Sequence, residues 1–126
     1  MPNTDNDRLA KTLRFETLEV RFGYARAKAT SSDEFLNGVD IAHGGFLFSF
    51  ADFTSALATN TDERVAISSG ASINFLSPCP PNENIIAEAK IAYSDAKTAL
   101  VDVAISSEKT GGVFAIFQSR VIFKKV

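Results

Sequence analysis

The sequence has no tryptophan, a single cysteine and a single histidine. A lone cysteine cannot close an internal disulfide, so the interior has to form by packing alone, and this cysteine usage fits a reducing compartment. No run approaches the roughly 20 apolar residues of a membrane-spanning helix. Charged or small polar residues interrupt every candidate. The opening MPNTDNDRLAK lacks the apolar run of a signal peptide, so a soluble, cytoplasmic chain without a membrane partner is expected. Charge of one sign is also scarce: 13 basic against 15 acidic residues give a formal net charge of -2. That balance argues against nucleic acid as the main partner, because a phosphate backbone calls for a concentrated basic surface.

What is present is 126 residues, 45% of them apolar, which is most simply one domain. A chain of this length buries roughly two-thirds of its unfolded surface without covalent staples. Leu18, Val20, Phe22 and Tyr24 alternate with polar residues, the period of a half-buried strand. The parity then flips to Ala25, Ala27 and Ala29. A bulge in one long strand and a tight turn at Gly23 between two short ones both fit. Residues 31–42 form a connection with a short helical turn and an Asn37-Gly38 turn signal.

The period then changes to 3.6. Phe46, Phe50, Phe53 and Leu57 make one aromatic stripe along a four-turn helix ending near Asn60. A second arc carries Gly45, Ser49, Asp52, Ser55, Ala56 and Thr59. The remainder reads as strands. Val65, Ile67, Ala71, Ile73 and Phe75 share one parity over 64–77, and Pro78, Pro80 and Pro81 end that run. Strands over about 84–93, up to 107, and from Val113 to about Lys124 follow as an antiparallel meander. The fold class is α+β, a curved sheet of five or six antiparallel strands wrapped around one long central helix. One sheet cannot cover both faces of that helix, so the second face is expected to meet another copy of the chain.

Three features carry chemistry. His43 stands directly before Gly44 and Gly45 at the helix start, where backbone N–H groups lack intrahelical partners. Two residues without side chains leave those donors open to a ligand oxygen; a tight helix entry is the plainer reading. Asp52 interrupts the most apolar helix in the chain, in a place unsuited to capping. No histidine or second carboxylate lies one helical turn away, so no metal motif is suggested. Gly44 and Asp52 are eight residues apart, about 12 Å along a helix. If both act on one carbonyl, they come from antiparallel helices of two subunits.

Taken with FLSP at 75–78, the run Asn37-Gly38, His43-Gly44-Gly45 and Ala51-Asp52 resembles the hotdog-fold acyl-CoA thioesterases of the PaaI-like group, over about residues 12–124. The resemblance implies a hotdog domain over residues 12–126 after a flexible segment 1–11. It also implies a metal-free hydrolase without a separate cofactor, coenzyme A being part of the substrate, built from dimers with shared sites and frequently tetramers. By the same resemblance Asp52 is the catalytic carboxylate, and Gly44 supplies the N–H that polarises the thioester carbonyl. Asn37 lies near the thioester or the water, His43 organises the loop, and Ser68 positions water, with neighbouring Ser69 leaving that register open. Gly45 borders the substrate. Arg120, Lys124 and Lys125 on the last strand, together with Lys90 or Lys97, are the cations available to coenzyme A phosphates. The chain departs from the family pattern at Asn82-Glu83, where Gly-Asp is usual, and Cys79 falls in that turn, away from the expected site. The acyl group stays open between phenylacetyl-type and medium or long chains. A hotdog dehydratase or hydratase, giving an enoyl product without free thiol, and a non-catalytic acyl-CoA-binding module are the rival readings.

Overall fold

The computed structural model describes residues 2–125. Among them the chain runs α1 (Pro2–Asp5), α2 (Arg8–Thr12), β1 (Glu16–Arg21), β2 (Tyr24–Thr30), a 3-10 turn (Asp33–Phe35), α3 (Gly44–Thr59), β3 (Arg64–Phe75), β4 (Asn84–Ser94), β5 (Thr98–Ser107) and β6 (Val113–Lys125). All strands pair antiparallel in one sheet of order β1-β2-β4-β5-β6-β3. The sheet curls around α3 in the hotdog arrangement.

The stripe on α3 is the centre of the core: Phe46, Phe50, Phe53 and Leu57 are all buried. Fully burying one such side chain contributes about 1.5–3 kcal/mol. Phe15 adds its ring from outside the helix, with centroids 5.8, 5.0 and 5.5 Å from Phe46, Phe50 and Phe53. Opposite the helix, strands β2 and β4 present Ala25, Ala27, Ala29, Ala87 and Ala89. Small side chains there let the sheet approach the bulky helix closely.

Both ends of α3 are tied down locally. At its start the His43 Nδ1 accepts the Gly45 N–H at 2.8 Å. At its end the Asn60 Nδ2 donates to the Ala56 carbonyl at 2.9 Å, while its Oδ1 accepts the Ala66 N–H at 3.0 Å. The second contact fixes where β3 begins.

One open alternative is settled and three sequence expectations need correction. The parity flip near Gly23 is a hairpin turn: Arg21 pairs with Tyr24, and Gly23 sits at φ 91°, a conformation cheap only for glycine. Strand β1 is exposed along its whole length, not half-buried; it is an edge strand, hydrogen-bonded to β2 on one side. The apolar residues of β3 do not share a face. A bulge between Ser68 and Gly70 sends Val65 and Ile67 to the outer face and Ala71, Ile73 and Phe75 to the inner one. Finally, the meander comprises β4–β6 only, since β3 pairs with β6 at the far edge and its proline-bearing link to β4 crosses the end of the sheet. Residues 2–5 and 8–12 of the N-terminal segment are helical; Asp7 caps α2 by accepting the Ala10 N–H at 3.0 Å, and Ala10 is buried.

Candidate active site

The connection before α3 folds around Asn37. Its Oδ1 accepts the N–H groups of Val39 at 2.9 Å and Ile41 at 3.2 Å, closing an Asx turn. With that oxygen occupied twice, the side-chain NH2, which has no partner among the described residues, is the donor available to a ligand. The Ala42 N–H donates to the Cys79 carbonyl at 2.9 Å and the His43 N–H to the Phe35 carbonyl at 2.8 Å, which locks the approach to the helix.

Gly44 is the first residue of α3. Its N–H makes no hydrogen bond among the described residues and points out at the positive end of the helix dipole. A cavity of about 350 Å³ opens beside it, lined by Asn37, Ile41, Leu47, Phe75 and Cys79 among others. The structure therefore brings Asn37 and Gly44 to one mostly apolar pocket. Gly45 is needed for a different reason, because a Cβ there would lie 3.0 Å from the His43 Nδ1. Since that nitrogen accepts a backbone N–H, the neutral imidazole carries its proton on Nε2 and presents a donor, not a base.

Cys79 corrects an expectation. It lines this cavity, drawn in by the contact with Ala42 that no local pattern reveals. Burial raises its thiol pKa, so it is a poor nucleophile.

Asp52 lies two turns further along α3, between the buried Ala51 and Phe53, and is itself half-buried. Its carboxylate makes no hydrogen bond or ion pair among the described residues. Burial first, and then the Asp7 carboxylate, push its pKa above the usual value of 3.8. Asp7 is a neighbour the sequence reading missed, because its approach depends on how the N-terminal helices pack. Asp52 does not line the Gly44 cavity, and the helical rise separates the two by about 12 Å. The expected accessible arc of α3 is realised at Gly45, Ser49, Asp52 and Ala56. Ser55 and Thr59 are buried instead: the Ser55 and Ser119 hydroxyls bond at 2.7 Å, and the Thr59 hydroxyl donates to the Ser55 carbonyl at 2.9 Å. Exposed Phe48, absent from that reading, packs edge-on against Phe117.

The bulge separates the two candidate serines. Ser69 is the extra residue, its hydroxyl donating to the Arg120 carbonyl at 3.1 Å and accepting from the Arg120 Nη1 at 2.9 Å. Ser68 pairs with buried Val121, on the face of the sheet that turns toward α3, and its hydroxyl has no partner among the described residues. Arg120 and Lys124 follow the outward parity of β6, and Lys90 stands on the outer face of β4 with Glu88 at 3.6 Å. None of the three borders the Gly44 cavity. Lys97 and Lys125 are exposed and lie outside it as well. No group of three or more His, Cys, Asp or Glu among the described residues is placed to hold a metal ion.

A family model described as the thioesterase superfamily matches residues 40–114, more than half of the chain and the whole stretch from the Asn37 turn's far side to β6. The chain belongs to this thioesterase superfamily. Within the family it is similar to the acyl-coenzyme A thioesterase PaaI of Escherichia coli strain K12, 31% identical over 116 residues that cover 92% of this chain and 82% of that protein. The structure of the E. coli PaaI protein from the phenylacetic acid degradation operon superposes with a TM-score of 0.90 at 29% identity, covering 96% of this chain and 87% of that one. An asparagine-to-aspartate variant of the phenylacetic acid degradation protein PaaI from Thermus thermophilus gives 0.86 at 28% identity, covering 92% and 98%. The family's hotdog fold, PaaI-like grouping and thioester-hydrolase class thus hold for this chain.

Proposed function

We propose that this protein hydrolyses acyl-CoA thioesters to a carboxylic acid and coenzyme A, at sites that two copies of the chain build together. The observation that carries the reading is the pairing of a Gly44 N–H that opens beside an apolar cavity with the Asp52 carboxylate two turns away on the same helix, neither of them with a hydrogen-bond partner among the described residues.

Gly44 and the Asn37 NH2 supply donors to the carbonyl oxygen, where negative charge grows during attack. The N-terminus of α3 adds its dipole to the same end. Asp52 is too far along its own helix to reach that carbonyl, so the carboxylate comes from a partner helix running antiparallel. The carboxylate either takes a proton from the attacking water and passes it to the departing sulfur, or attacks the carbonyl itself to form a mixed anhydride that water then cleaves. In both routes the C–S bond breaks, coenzyme A leaves and is protonated to the thiol, and water supplies the oxygen of the free acid. The raised pKa of Asp52 makes it a better base than an exposed aspartate. Ser68, on the helix-facing side of an edge strand, is available to orient water, and His43 holds the Gly45 amide and the helix start in place. A dehydratase needs a histidine base, and the Nδ1 of His43 is already committed to Gly45.

The test is thiol release across acyl-CoAs, comparing wild type with Asp52→Asn. Turnover by the wild type and a loss of about 10²-fold or more in the variant are expected. Unchanged turnover in the variant defeats the assignment.

A further inference from the structure

Phe75 is the last residue of β3, and its ring lies against the first residue of α3. It is 53% exposed and stacks on no other aromatic ring among the described residues, although it closes an apolar strand end. Its backbone is anchored: the following Leu76 N–H donates to the Phe114 carbonyl at 2.8 Å, and the Ser77 hydroxyl donates to the Val113 carbonyl at 3.1 Å. The ring reaches across to the start of α3. A Cβ built on Gly44 would meet its Cζ at 3.1 Å and both Cε atoms at 3.6 Å. The ring edge therefore forms the cavity wall beside the free Gly44 N–H.

We infer that Phe75 is a specificity-determining residue that selects acyl groups unbranched at the carbon next to the carbonyl. The inference rests on the hydrolytic reading above. A carbonyl oxygen bound to the Gly44 N–H at about 2.9 Å leaves its carbon roughly one C=O length further out, and the acyl α-carbon about 1.5 Å beyond that. Those atoms fall within van der Waals reach of a ring that already touches the Gly44 Cα region. A CH2 passes the ring edge; an added methyl meets it. The same cavity is lined by Leu47, Ile41 and Cys79, apolar surface for the rest of an acyl chain. Gly44 and Phe75 are thus a matched pair, one exposing the donor and the other limiting what is carried to it.

The experiment measures kcat/KM for thiol release from butyryl-CoA and 2-methylbutyryl-CoA, which differ by one α-methyl. Wild type, Phe75→Ala, Phe75→Leu and Phe75→Tyr are compared, each checked for an intact fold by its melting curve. The wild type and Phe75→Tyr are expected to favour butyryl-CoA. Phe75→Ala should narrow that preference by about tenfold or more, the scale on which one methylene is discriminated in a pocket, and Phe75→Leu by less. Should the alanine variant not fold, the leucine variant decides, because it keeps apolar bulk without the ring edge. A ratio within about twofold of wild type, in a folded variant that still hydrolyses butyryl-CoA, overturns the inference and leaves the hydrolytic reading standing. A wild type that releases thiol from no acyl-CoA overturns both.

Discussion

Asp52 is held in a state that costs stability. Its pKa lies above the ordinary 3.8 because burial, and then Asp7, disfavour the charged form. Between the ordinary and the raised value the native state binds more protons than the unfolded chain, so stability falls as pH rises through that window and stays lower above it. Asp52→Asn is therefore expected to melt above the wild type at pH 7, with the gap closing as the pH is lowered below the ordinary carboxylate range. Thermal melts at both ends check this; an asparagine variant that melts lower at pH 7 contradicts it. Catalysis runs the other way, since only the ionised carboxylate attacks or takes a proton. The acid limb of kcat/KM should have its midpoint above pH 3.8 and vanish in the asparagine variant. Gly44 allows an equally local test. Proline is tolerated at a first helical position, and His43 already has the extended backbone, φ -62° and ψ 136°, that a following proline demands. Gly44→Pro removes the N–H, at the expense of a shift of the exposed Phe75 ring. The fold should survive while turnover drops by about 10²–10³-fold.

At the scale of elements, the start of α3 is the part most dependent on one small residue. A Cβ at position 45 would lie 3.0 Å from the His43 Nδ1 and 3.2 Å from its Cε1, so Gly45→Ala displaces the capping imidazole. A loss of about 1 kcal/mol in chemical denaturation is expected, the usual worth of a helix cap, together with reduced turnover. This helix was legible in the sequence because its signals are local. The aromatic period of 3.6, the cap before two glycines and the terminal Asn60 all lie within the element itself. The strands were legible as strands but not in their placement. The bulge at Ser69 reverses the facing of Val65 and Ile67 through one unpaired residue, without changing the period-two pattern of apolar positions. Exposure of β1 and the edge position of β3 depend on sheet order, which local pattern does not encode. In the site, Gly44 and Asp52 stood out by residue type and spacing, whereas Asn37 read alone is a turn former and entered the site only through the family resemblance. Cys79, Phe75 and Asp7 approach them only through tertiary contacts, from a proline-bearing link, a strand end and the cap of an N-terminal helix.

Among the described residues, one face of α3 and the outer edge of one long strand are left without partners in the single chain. Gly45, Ser49, Asp52 and Ala56 stay accessible on the helix, and β3 offers a free edge with Ile67 exposed. Unpaired strand edges invite pairing, and a second copy placed about a two-fold axis would cover both features. Ala56→Arg puts a bulky charge on that helix face without disturbing the core stripe. It should yield a folded monomer by sedimentation and abolish thiol release; an active monomer contradicts a shared site.

The most direct measurement mixes two inactive proteins. Asp52→Asn and Gly44→Pro chains are unfolded together, refolded, and assayed for thiol release. If amide and carboxylate come from different copies, half of the random dimers hold one intact site out of two, and the mixture should recover about a quarter of wild-type activity. If it stays as inactive as either variant alone while forming dimers, each chain uses its own pair of groups and the shared site does not exist.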